Sequence, residues 1–130
     1  MKFEEFFKEI EDDLYLDSVN IQKKLFEIPQ LHSKYLKRFY MYKKEYYKYK
    51  KELEQLYTKK YNLLKNGDEL LDKKEIQFMI VSDEEYSDLN YKIKQMENMI
   101  DILERTIKKV NNLSFDIKNI IDWVKFQAGE

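Results

Sequence analysis

The residues of this 130-residue chain that could do chemistry are one histidine, scattered carboxylates and a run of lysines interleaved with tyrosines. His32, next to Ser33, has no acidic residue at helical spacing to orient or polarise its imidazole, so an acid-base or nucleophilic role has no support. Carboxylate pairs such as Asp12-Asp13 and Glu84-Glu85 are adjacent, which on a helix turns the two groups to different faces. Cysteine is absent, which removes thiolate chemistry, disulfides and cysteine-ligated zinc. Gly67 and Gly129 stand alone, so no glycine-rich loop could cradle a phosphate and nucleotide hydrolysis is not expected. No catalytic residue, metal ligand or cofactor is expected.

The informative constellation lies elsewhere. Lys34, Lys37, Arg38, Lys43, Lys44, Lys48, Lys50, Lys51, Lys59, Lys60 and Lys65 are interleaved with Tyr35, Tyr40, Tyr42, Tyr46, Tyr47, Tyr49, Tyr57 and Tyr61. Cations answer backbone phosphates and flat rings answer unstacked bases, the combination that single-stranded nucleic acid binding uses. Readers of duplex base edges rely on Arg, Asn and Gln, and this segment has one arginine, so sequence-independent binding is expected. Tyr35, Tyr42, Tyr46 and Tyr49 fall on an apolar seam and read as packed, whereas Tyr40, Tyr47 and Tyr57 lie off it and are the stacking candidates. Without a broad aliphatic face the segment is a poor membrane anchor, and no membrane contact is expected.

Overall charge conceals this concentration. The chain has 24 basic and 25 acidic residues, yet residues 34 to 65 carry eleven basic and three acidic groups. Residues 1 to 33 carry four and eight, and residues 66 to 100 four and nine. One helix-length segment is a concentrated cation on an otherwise anionic protein, which points to a polyanionic partner.

The elements that must position these groups are helical: charged residues make up 38%, with two glycines and one proline. Phe3, Phe6, Phe7, Ile10 and Leu14 predict a short helix over 2 to 14 with an aromatic stripe. Asp17-Ser18 offers an N-cap to a second helix, which Pro29 is expected to interrupt or kink. From Gln30 to Lys65 the series Tyr35, Phe39, Tyr42, Tyr46, Tyr49, Leu53, Leu56, Leu63 predicts one long helix, stopped by Asn66-Gly67. Residues 68 to 81 are the least regular, with a lean toward irregular or helical structure. Ser82 and Glu85 read as a capping box for the last helix. There Leu89, Ile93, Met96, Ile100, Leu103, Ile107, Val110, Ser114, Ile117, Ile121, Val124 and Ala128 form an unbroken heptad register. Met99, Ile102, Leu113, Ile120, Trp123 and Phe126 widen that surface, which favours self-association through Leu103, Ile107, Val110, Ile117, Ile120, Ile121, Trp123, Val124 and Phe126. The two seams could alternatively satisfy each other as an antiparallel hairpin within one chain.

Four blocks carry a resemblance: Asp13-Leu14-Tyr15-Leu16-Asp17-Ser18, Pro29-Gln30-Leu31-His32-Ser33-Lys34-Tyr35-Leu36, Lys43-Lys44-Glu45, and Phe115-Asp116-Ile117-Lys118-Asn119-Ile120-Ile121-Asp122-Trp123 continuing through Phe126-Gln127-Ala128-Gly129. Together they make the chain similar to the UvsY recombination mediators of T-even-type phages. The resemblance implies an all-α protein forming a ring-like homo-oligomer of six or seven copies through its C-terminal region. It implies single-stranded DNA, a RecA-like recombinase and a single-strand-binding protein as partners, no covalent chemistry, and action in the cytoplasm of an infected bacterial host. Lys59 and Lys60 approximate the family's basic positions ahead of a glycine turn, which here reads Leu63-Leu64-Lys65-Asn66-Gly67.

The expected organisation is therefore a DNA- and partner-binding region over 1 to 81, with its basic helix at about 30 to 65, and an oligomerisation region over 82 to 130. The N-terminus lacks the basic start and apolar core of a signal peptide, and no run approaches the roughly 20 apolar residues of a membrane span, so a soluble protein is expected. The alternative, from a different class, is a coiled-coil structural adaptor without DNA binding.

Overall fold

The structure, a computed structural model, describes residues 3–129, and these form an all-α protein. Five helices follow in order: α1 Phe3–Leu14, α2 Ile21–Lys65, α3 Lys73–Val81, α4 Glu84–Asn111 and α5 Leu113–Gln127. Lys2, included in the predicted first helix, lies outside the described residues. The helices group into two compact units, one from the described parts of Met1–Phe39 and Asp101–Glu130, the other from Tyr40–Ile100.

In the first unit, α1 is amphipathic at the expected spacing, and Phe6 and Ile10 are buried while Phe7 is half exposed. Leu31 and Tyr35 of α2, Leu103, Thr106 and Val110 of α4, and Leu113 and Ile117 of α5 supply the rest of the core. Thr106, buried in that core, donates its hydroxyl to the Ile102 carbonyl at 2.7 Å, so its burial leaves no unmet hydrogen bond. The turn between α1 and α2 is locally determined. Asp17 accepts the amides of Val19 and Asn20 at 2.8 and 2.7 Å, and Asn20 returns a side-chain oxygen to the Asp17 amide at 2.8 Å. This reciprocal pairing closes the turn over residues 17 to 20, one residue short of α2: the helix is entered at Asn20, whose carbonyl accepts the Lys24 amide at 2.9 Å, so the cap expected at Asp17-Ser18 is a turn lock before the helix. The carbonyls left open at the end of α1 are met by Lys24, whose ammonium donates to Asp13 at 2.7 Å and Asp12 at 3.3 Å.

Pro29 does not interrupt α2, which runs through it for 45 residues, about 68 Å at 1.5 Å per residue. Pro29 and Leu25 both stand on an exposed side, where water can satisfy the Leu25 carbonyl that the proline ring leaves without a donor. The helix ends at Lys65 as expected, although Gly67 keeps a negative φ. Gly67 works as a stop through its low helix propensity and not as a left-handed cap.

In the second unit α2 and α4 are antiparallel. Tyr46 meets Glu97, Tyr49 meets Lys92, Tyr57 meets Tyr86 and Lys60 meets Asp83, so partners descend in α4 as α2 advances. Here the aromatic seam and the aliphatic seam do face each other within one chain. Residues 73 to 81, the ambiguous stretch, form the helix α3. Asp72 caps it by accepting the Glu75 amide at 2.8 Å, and Ile76 and Ile80 are buried. The next cap differs from expectation. Ser82 closes α3, and Asp83 begins α4 by accepting the Tyr86 amide at 3.0 Å. An aspartate is as good an N-cap as serine and carries the charge that the helix dipole favours, so the start moves one residue along.

The heptad register is not continuous. Asn112 breaks the ladder between α4 and α5, its amide shared between the Lys108 and Lys109 carbonyls at 3.2 and 3.1 Å. Asn111-Asn112 places two weak helix formers in sequence, and their side chains compete for backbone bonds. The buried line runs Met99, Leu103, Thr106, Val110, Leu113 and Ile117, while Ile100 and Ile107 are only half buried and Ser114 is exposed. Leu103, Val110 and Ile117 belong to both readings. The inner face is rotated by one residue from the predicted seam between them.

Candidate nucleic-acid interface

The basic segment of α2 divides into cations that are already engaged and cations that are not. At its start Arg38 forms a two-pronged pair with Glu9, both N–H···O distances being 2.9 Å. Lys34 lies 2.6 Å from both Glu9 and Asp13. Tyr35, fully buried, donates its hydroxyl to Asp13 at 2.6 Å. The guanidinium and ammonium hold the Glu9 carboxyl down at about 2, and burial together with the Asp13 bond pushes the Tyr35 phenol well above its ordinary value. The bonds are charge-assisted and partly shielded, so phosphate could replace the carboxylates only by breaking a geometry that fits them. Lys34 and Arg38 are the fasteners of α1.

Lys60 is engaged in the same way, 3.0 Å from Asp83 and 3.1 Å from Glu85, which ties α2 to the start of α4. Lys50 lies over the Tyr46 ring at 5.3 Å. Tyr57 stacks on Tyr61 at 6.2 Å and tilts against Tyr86 at 6.1 Å, which makes it a packing residue on the side facing α4. Lys43 is half buried and has contacts of its own.

What remains forms a line in the second unit. Lys44, Lys48, Lys51, Gln55 and Lys59 advance along α2 by steps of four, three, four and four, which keeps them on one face. All five are exposed, and among the described residues none of these lysines is ion-paired. Glu45, Glu52 and Glu54 flank the line without occupying it. Tyr47, 62% exposed, lies one helical turn from Lys44 and from Lys51, its ring 5.5 Å from that of Tyr46. Farther along, Lys51, Gln55, Thr58, Lys59 and Asn62 border a shallow open trough with Glu54 as its acidic member. Lys37, in the first unit, is likewise exposed. The line offers a polyanion a row of point charges that no carboxylate of the described residues neutralises.

The residues expected to mediate self-association also separate. Leu103, Val110 and Ile117 are buried in the chain's own core, and Ile107 and Ile120 are half buried. Ile121, Trp123, Val124 and Phe126 are exposed at the end of α5, where Trp123 and Phe126 stack at 5.8 Å.

Comparison with known families decides the assignment. Residues 9–130 match the model of the family described as "Recombination, repair and ssDNA binding protein UvsY". The chain belongs to the UvsY family. Membership makes it a recombination, repair and single-stranded-DNA-binding protein of bacteriophage type. No curated protein sequence matches the chain. Among solved structures, it superposes on crystal structures of the bacteriophage T4 recombination mediator protein UvsY. In lattice type IV the TM-score is 0.88 at 18% identity, over 98% of this chain and 99% of the other. In lattice type II it is 0.82 at 21% identity, over 98% of each. At such identity the likeness establishes a shared UvsY fold, five helices and no strand among the described residues. Among those residues no helix is long and apolar enough to cross a membrane.

Sequence reasoning missed which cations are engaged. Glu9 and Arg38 are 29 residues apart, beyond any helical spacing rule, and only the docking of α1 brings them together. One signal was available: residues 1 to 33 hold an excess of carboxylates that a neighbouring cationic helix could satisfy.

Proposed function

We propose that the protein is a recombination mediator that grips single-stranded DNA along the Lys44, Lys48, Lys51 and Lys59 face of α2. It promotes loading of a RecA-like recombinase onto strands covered by single-strand-binding protein, without covalent chemistry, in the cytoplasm of the infected host. The observation that carries the reading is the line of exposed, unpaired lysines flanked by Tyr47, on a helix where Lys34, Arg38 and Lys60 are engaged by the chain's own carboxylates. Each lysine contact with phosphate is weak alone. Assembly into a ring of six or seven copies, through the exposed apolar end of α5 at Ile121, Trp123, Val124 and Phe126, would let many act on one strand at high effective concentration. Ordering the strand on that surface would loosen a competing single-strand-binding protein. The T4 protein that shares the fold is a recombination mediator, which favours this reading over a purely structural adaptor.

The test is filament formation by a RecA-like recombinase on an oligonucleotide pre-covered with single-strand-binding protein. Addition of the protein should shorten the lag. Lys48→Ala/Lys51→Ala/Lys59→Ala should abolish the acceleration while mass in solution and helicity stay unchanged. A triple variant that loads recombinase as well as the parent would reject the reading, and Trp123→Asp should lower both mass and loading if assembly is required.

A further inference from the structure

The stretch from Leu63 to Asp88 in the second unit has a chemistry opposite to that of the lysine line. Between the end of α2 and α3 lies a groove of about 220 Å³ lined by Leu63, Leu64, Met79 and Ile80, with Lys60 and Asp83 paired to each other at its edge. Leu63 is 66% exposed, and on α3 Phe78 is 73% and Val81 60% exposed. A nine-residue helix that buries Ile76 and Ile80 has no packing need for phenylalanine and valine on its other side. Single exposed apolar residues are ordinary, but a groove with several beside it is the mark of an association site.

The surrounding charge selects the occupant. Residues 63 to 88 hold eight carboxylates against Lys65, Lys73 and Lys74; Asp83 and Glu85 are paired with Lys60, and six carboxylates remain for those three lysines. The crowding is physical as well as compositional: Asp72 and Glu69 raise the Glu75 carboxyl above its ordinary value. Glu75 lies one helical turn before Met79, on the same side of α3 as that lining residue. A polyanion or an anionic lipid surface would be repelled here. An amphipathic segment with cationic flanks would have its apolar residues taken by the groove and its charges by the rim.

We propose that this acid-rimmed groove between α2 and α3 docks a lysine- or arginine-rich amphipathic segment of a partner protein. The site is separate from the lysine face, so the protein can hold DNA with one surface and a protein partner with another. It does not depend on the DNA reading.

The probe is a fluorescein-labelled, lysine-rich amphipathic helical peptide, titrated with the full chain and followed by anisotropy. A peptide of the same apolar pattern with glutamate in place of lysine serves as the counterpart. The basic peptide should bind, and Phe78→Ser/Met79→Ser should weaken it at least tenfold. Glu69→Gln/Glu75→Gln, which leaves all apolar packing intact, should weaken it several-fold and flatten its salt dependence. Oligonucleotide affinity and mass in solution should be unchanged in both variants. Equal binding of the acidic peptide, or unchanged binding by both variants, would overturn the proposal. So would a fall in mass on Phe78→Ser/Met79→Ser, since the groove would then be occupied by a second copy of this chain.

Discussion

The two halves of the basic helix are nearly alike in composition and opposite in circumstance. Around Lys34 and Arg38 the cations face Glu9 and Asp13 of α1 at hydrogen-bonding distance, with a buried tyrosine beneath them. From Lys44 to Lys59 the lysines on the outward face have no carboxylate partner. A lysine spent on holding a helix in place is not available to a strand, so cation count overstates the binding surface and pairing state defines it.

The severest challenge to this contrast is at Tyr35. Removing its ring in Tyr35→Ala should cost about 3 to 5 kcal/mol of stability, the range for large aromatic truncations in a core, and release α1. Denaturant unfolding monitored by circular dichroism checks the value, and the DNA affinity of the folded fraction should be unaltered. Tyr35→Phe, which keeps the ring and deletes only the charge-assisted bond to Asp13, should cost about 1.5 to 3 kcal/mol.

Acid provides a second, smaller lever. Glu9 is held at about 2, below its ordinary range near 4.5, so the stability it contributes is complete above that ordinary value and is lost as pH falls toward 2. Melting temperature should therefore drop over that window, and Glu9→Gln should flatten the drop. A pH profile identical in the variant would show that the clamp contributes little.

The finest distinction is between neighbours. Lys59→Ala should weaken DNA binding measurably and leave thermal stability unchanged. Lys60→Ala should loosen the junction of α2 with α4, seen as faster amide exchange near Asp83 and Tyr86, with little change in DNA affinity. Reversal of that pattern would exchange the roles assigned to the two residues.

Much of this was legible in the residues. Apolar spacing located the first helix, the long second helix and the buried positions Leu103, Val110 and Ile117, because side-chain period is a local property. Asp17 was legible as the residue that organises the turn ahead of α2, but the helix itself starts at Ile21, beyond the amides that Asp17 accepts. The one-residue rotation of the inner face toward Met99, Thr106 and Leu113 was not legible: a buried threonine scores as polar, and its bond to Ile102 exists only once the helix is formed. Of the two outcomes expected at Pro29, interruption does not occur: α2 continues through it, and the Leu25 carbonyl left without a donor is on an exposed side. The division of the lysines was least legible, since it depends on which helix docks against which.

The most direct measurement is the salt dependence of single-stranded DNA affinity for the parent and for Lys48→Ala/Lys51→Ala/Lys59→Ala. Log affinity falls against log salt with a slope of about −0.7 per phosphate neutralised, so loss of three contacts should make the slope shallower by roughly 2 in a single copy, and by more in an assembly. An unchanged slope would contradict the claim that these lysines hold the strand.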